Sequence, residues 1–83
     1  MRPRRAGPAA SPLRVWRVAR GLRLVDVARA VRMLPQVVSR LERGSVSLNA
    51  PRLAGMAAFY GLQPEAVAAA MATWAGEDGP EAG

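Results

Sequence analysis

Only Arg32, Met33 and Leu34 separate two stretches that each carry the apolar spacing of a helix. Before them, Val27 and Val31 stand four residues apart; after them, Val38 and Leu41 stand three apart, so each pair lines one helical face. Pro35 suits a first helical position, because its fixed φ is helical and its missing N–H would have no partner there. Gly44 suits a helix end, because it enters the left-handed region without Cβ strain. A connection this short predicts two helices, Leu24 to Val31 and Pro35 to Arg43, that cross steeply.

The rest of the chain reads as support for that pair. Ser11-Pro12 opens a first helix that runs to about Arg20 and ends at Gly21, with Leu13, Trp16 and Ala19 inward. Arg17 then falls beside the inward stripe and needs an anionic partner. Of the two carboxylates in residues 1–52, Asp26 and Glu42, the latter is the better placed. Arg23 and Leu34 are poor caps for the second and third helices, and Asp26 favours the dipole of the second. Ser45 to Leu48 reads as a loop. Asn49 caps a fourth helix in which Leu53, Met56, Ala57 and Tyr60 repeat at i, i+3, i+4 and i+7. A fifth starts at Pro64 and places Val67, Met71 and Trp74 along one side. The expectation is one all-α domain of five helices over residues 11–75. An arginine-rich arm (1–10) and an acidic tail (76–83) are too polar, or too rich in Gly and Pro, to join a core. A domain this small buries only about 60% of its unfolded surface and is marginal alone, which favours a dimer.

Charge narrows the function. Residues 1–52 hold all twelve basic residues, every one an arginine, while residues 53–83 hold Glu65, Glu77, Asp78 and Glu81 and no base. A basic front and an acidic rear point to a polyanion met by one face. Without histidine or cysteine the commonest general base, the commonest metal ligand and any disulfide framework are missing. No catalytic set, cofactor motif, metal site, signal peptide or membrane-length apolar run is visible, so no enzyme activity, cofactor, small-molecule substrate or membrane partner is expected. A soluble intracellular protein is expected. Two helices joined by a short turn form the unit that places its second helix in the DNA major groove.

Five helices, the short turn and the string Val-Val-Ser-Arg-Leu-Glu-Arg-Gly (37–44) together resemble the Xre/Cro-type helix-turn-helix family of phage and bacterial repressors. The matching residues are Leu13, Trp16, Arg17, Gly21, Leu22, Val27, Ala28, Val38, Ser39, Leu41, Glu42, Gly44, Gly61 and Leu62, and the likeness runs without a gap from Leu13 to Val67. It implies a compact lambda-repressor-like domain and a cytoplasmic, repressor-like regulator of transcription, binding double-stranded DNA as a homodimer. It also implies a structural ion pair between Arg17 and Glu42. By position, Leu34, Pro35, Gln36, Val37, Ser39 and Arg40 would face bases. Arg23, Arg43, Ser45, Ser47, Asn49 and Arg52 would face phosphates, and Val67, Met71 and Trp74 would form the dimer contact. The chain departs from the family at Leu34 and Pro35, where polar residues are usual, and at Arg23-Leu24, where Ser-Gln is usual. Hydrogen-bonded base readout is thereby reduced to Gln36 and Arg40, leaving Leu34, Pro35 and Val37 to apolar contact such as thymine methyls. Leu34 and Val37, as neighbouring apolar groups, also admit a second reading: a protein-interaction module of the same fold, an antitoxin-like inhibitor or an adaptor.

Overall fold

Ser11 opens the first helix, α1 (Pro12–Ala19), with its hydroxyl accepting from the Arg14 N–H at 3.3 Å. Asn49 does the same for α4 (Ala50–Tyr60), accepting from the Arg52 N–H at 3.0 Å. Between them lie α2 (Leu24–Val31) and α3 (Pro35–Arg43), and α5 (Pro64–Glu77) closes the chain. These elements belong to a computed structural model that describes residues 10–77. The expected arm, apart from Ala10, and the tail from Asp78 onward lie outside the described residues.

α2 packs on α3 and α4, while α1 lies against α3 and α5 and α4 against α5. Leu13, Val27, Ala28, Val38, Leu41, Met56, Ala57, Tyr60 and Val67 meet in one core. Each expected inward stripe is there except at one place. Ala19 is exposed, and Arg17 takes the inward position instead. The reason is angular: at 100° per residue Arg17 lies about 40° from Leu13 around the helix, whereas Ala19 lies on the far side. α5 also continues through Gly76 and Glu77, past the expected stop at 75. One glycine costs a helix about 1 kcal/mol, too little to end an alanine-rich run.

Four helices end in one way. The residue after the cap donates back to the carbonyl five positions earlier: Leu22 to Arg17, Met33 to Ala28, Ser45 to Arg40 and Leu62 to Ala57. Each closure needs a left-handed residue just before the donor. Glycine supplies it at 21, 44 and 61, but at the turn between α2 and α3 it is Arg32, at φ 61°. A Cβ in that region costs about 1 kcal/mol. Arg32→Gly should therefore raise the melting temperature by about 4–8 °C in a domain of this size, measurable by thermal denaturation.

Candidate nucleic-acid interface

The sequence of α3 divides it into two faces. Val38 and Leu41 point into the core and have essentially no exposure, and Glu42 is buried beside them. Pro35, Gln36, Arg40 and Arg43 are exposed, with Gln36 and Arg40 one turn apart on the same side. Ser39 is half-buried. Val37 is corrected from an exposed position: it is half-buried and packs against the core. Leu34, just ahead of the helix, is 60% exposed, the most of any large hydrophobic residue among those described.

The orientation of α3 is locked from behind. The Arg17 guanidinium grips Glu42 with two hydrogen bonds, Nε to Oε2 at 2.7 Å and Nη2 to Oε1 at 3.2 Å. Its remaining nitrogen, Nη1, donates to the Leu22 carbonyl at 2.9 Å, so one side chain ties α1, the α1–α2 turn and α3 together. The hydrogen bond to Glu42 raises the Arg17 pKa further above its ordinary value, outweighing its desolvation. The pair expected from charge and from the family likeness is thus formed.

Tyr60 lies against the same cluster. Its ring packs edge-on against Phe59 with centroids 4.9 Å apart, and the Arg20 guanidinium sits 5.1 Å from its centroid. Its hydroxyl is buried and has no hydrogen-bond partner among the described residues. Burial, reinforced by Glu42, pushes the phenol pKa up from 10.0 to about 12. A raised pKa means the fold favours the protonated phenol, so this contribution is complete below pH 10 and is lost as pH rises through about 12. Tyr60→Phe should be as stable as the parent at pH 8, since no partner is orphaned, and should lose less stability between pH 8 and 11. Chemical denaturation at the two pH values measures both effects.

At the start of α2, Asp26 accepts from the Arg23 backbone N–H at 2.9 Å and from its guanidinium at 3.2 Å. This is half a capping box, because arginine has no acceptor with which to return the bond. The hydrogen bond from the Arg23 side chain holds the Asp26 carboxyl below the usual carboxylate range. Arg23 nevertheless remains 77% exposed. Around the loop after α3, local bonds come first. Ser45 Oγ donates to the Arg40 carbonyl at 3.3 Å, Arg52 donates to the Ser47 carbonyl at 2.9 Å, and the Asn49 oxygen is committed to its cap. These side chains shape the loop, and Ser45, Ser47 and Asn49 stay exposed.

The electrostatic result is one-sided. Asp26 and Glu42, the carboxylates of residues 1–52, are each paired with an arginine. Arg29, Arg32, Arg40 and Arg43 are all exposed, and none of them donates a side-chain hydrogen bond among the described residues. Such a surface attracts polyanions. A family model described as a helix-turn-helix domain matches residues 10–70.

The chain belongs to the Xre/Cro-like helix-turn-helix family.

No curated protein and no solved structure matches it. Helix-turn-helix domains of this family are DNA-binding, and α2, the Arg32–Leu34 turn and α3 are the unit that gives the family its name. The match ends at residue 70, inside α5, so Met71 and Trp74 lie beyond it. Among the described residues no helix is long and apolar enough to cross a membrane.

Two site expectations change. Val67 has no exposed surface and is core, so it has nothing to offer a partner subunit. Met71 is half-buried and packs against the same core. Trp74 is half-buried and lines an open groove between α1 and α5 with Pro12, Val15, Trp16 and Ala70. The structure adds exposed Arg29 and Arg32 to the residues named for DNA contact. The clue for Arg32 was available: so short a turn needs a left-handed residue immediately after α2, and the solvent-facing side chain there is an arginine.

Proposed function

We propose that this protein is a sequence-specific regulator of transcription, repressor-like, that lays α3 in the major groove of double-stranded DNA. The observation that carries the reading is the exposed face of α3, with Gln36, Arg40 and Arg43 outward and both nearby carboxylates neutralised. Gln36 has the amide geometry for adenine, and Arg40 the fork for guanine or phosphate. Arg23, Arg43, Ser45, Ser47, Asn49 and Arg52 would follow the backbone, Asn49 through its amide nitrogen while its oxygen caps α4.

The working unit in this proposal is a homodimer on a two-fold operator, with half-sites about one helical turn apart. Met71 and Trp74 supply the contact, helped by the exposed Val15 of the α1–α5 groove. Residues 11–77 form the folded unit, with the preceding arginines as a DNA-following arm and the final residues as an acidic tail. The protein acts in the cytoplasm, without cofactor or catalysis. A mobility-shift assay with random duplex at 50 and 200 mM salt tests the class. Binding that weakens steeply with salt supports a DNA regulator. No binding at low salt, with tight capture of a defined protein partner, would place the chain among interaction modules instead.

A further inference from the structure

Leu34 is the least economical residue in the domain. Ser11 and Asn49 cap α1 and α4 through side-chain oxygens, but at the same position before α3 leucine provides no cap. It is also the most exposed large hydrophobic among the described residues. Pro35 then removes one N–H from the first turn, and the next-but-one, on Val37, is turned back to the Leu34 carbonyl at 3.0 Å. The leading tip of α3 is therefore apolar and poor in donors, with polar chemistry starting at Gln36. Both costs fall on one position, and a serine would relieve both.

What covers this tip is indicated by its surroundings. Arg32 is exposed two residues before it, Arg40 and Arg43 are exposed further along α3, and the carboxylates of this half of the chain are neutralised, so the complementary partner is a polyanion. One leucine with a half-buried valine behind it is far smaller than the roughly 800 Å² that each side of a stable protein interface buries. It matches a single methyl group. In the major groove of DNA the apolar feature of the base edges is the C5-methyl of a pyrimidine, carried by thymine and by 5-methylcytosine.

We propose that Leu34 is a specificity-determining residue that reads a pyrimidine C5-methyl group in the major groove. The inference rests on the DNA-binding reading above and adds the chemical feature recognised. Recognition divides between Gln36 and Arg40, which hydrogen-bond, and Leu34, which excludes water from a methyl. Polar base edges at that position lose hydration against leucine and gain nothing in return.

The test uses the full chain, its Leu34→Ser variant and a duplex selected from a random library by the parent protein. Thymines in the selected site are replaced by uracil, which removes only the methyl, and cytosines by 5-methylcytosine, which adds one. The parent should lose about fourfold in affinity for the critical thymine, or gain as much from the critical cytosine methylation. Leu34→Ser should be insensitive in both arms while melting higher than the parent, so its insensitivity cannot come from unfolding. Salt-dependent duplex binding with no methyl effect in either arm overturns the inference alone, as does an equal effect in the parent and Leu34→Ser. Absence of duplex binding at any salt overturns both the inference and the reading beneath it.

Discussion

Arg17→Ala is expected to destabilise the domain by about 3–5 kcal/mol, the usual consequence of leaving a buried charge unpaired. The substitution removes both hydrogen bonds to Glu42 and the bond that holds the Leu22 carbonyl. Glu42, 5% exposed, would be left buried without its arginine partner. A small domain has about 5–15 kcal/mol in total, so the variant should melt on the order of 20 °C lower or fail to fold. The pair also predicts strong non-additivity. Replacing Arg17 and Glu42 together by methionine should cost less than either single replacement, because no unpaired charge remains. Thermal melts of Arg17→Met, Glu42→Met and the double variant decide the non-additivity; an unchanged melting temperature for Arg17→Ala would remove the pair from the account.

The second large effect concerns DNA and leaves the fold alone. Arg40 and Arg43 are exposed, and their side chains bond nothing else among the described residues, so the double Arg40→Ala, Arg43→Ala variant should keep its stability within about 0.5 kcal/mol. Its duplex affinity at low salt should fall about tenfold to a hundredfold. The slope of log affinity against log salt should become shallower by about 2 if both residues neutralise phosphates, and by about 1 if Arg40 reads a base instead. Titrations by fluorescence anisotropy at four salt concentrations separate these cases. Affinity equal to that of the parent at every salt would exclude this face of α3 from binding.

How much of this was legible beforehand differs by residue. The helix boundaries at Ser11-Pro12, Gly21, Pro35, Gly44, Asn49 and Gly61 were readable because each is a local event with its own chemistry. Arg17 with Glu42 was readable because a charge beside an apolar stripe must be answered and few answers exist in this half of the chain. Val37 is half-buried rather than outward because its exposure depends on how far the core reaches around α3, and periodicity alone does not give that distance. Val67 reads as a partner contact in the sequence but is core, because spacing cannot say whether an apolar stripe faces its own domain or another copy. Arg52 illustrates a further limit. Its hold on the Ser47 carbonyl depends on the path of the loop, which no spacing rule specifies.

Arg32 joins the two halves of the account. It occupies the left-handed position that glycine fills at the other three helix ends, and it adds an exposed cation to the turn leading into α3. Stability would favour glycine there, whereas a surface that meets a polyanion gains from the arginine.

The central claim is that the outer face of Leu34–Arg43 meets duplex DNA, and amide chemical-shift mapping tests it most directly. Isotope-labelled protein titrated with a random duplex at low salt should show its largest shifts at Leu34, Gln36, Arg40 and Arg43, with smaller ones at Arg23 and the Ser45–Asn49 loop. Shifts concentrated on α5, or none at all at protein and duplex concentrations near 100 μM, where non-specific binding is expected to saturate, would contradict it.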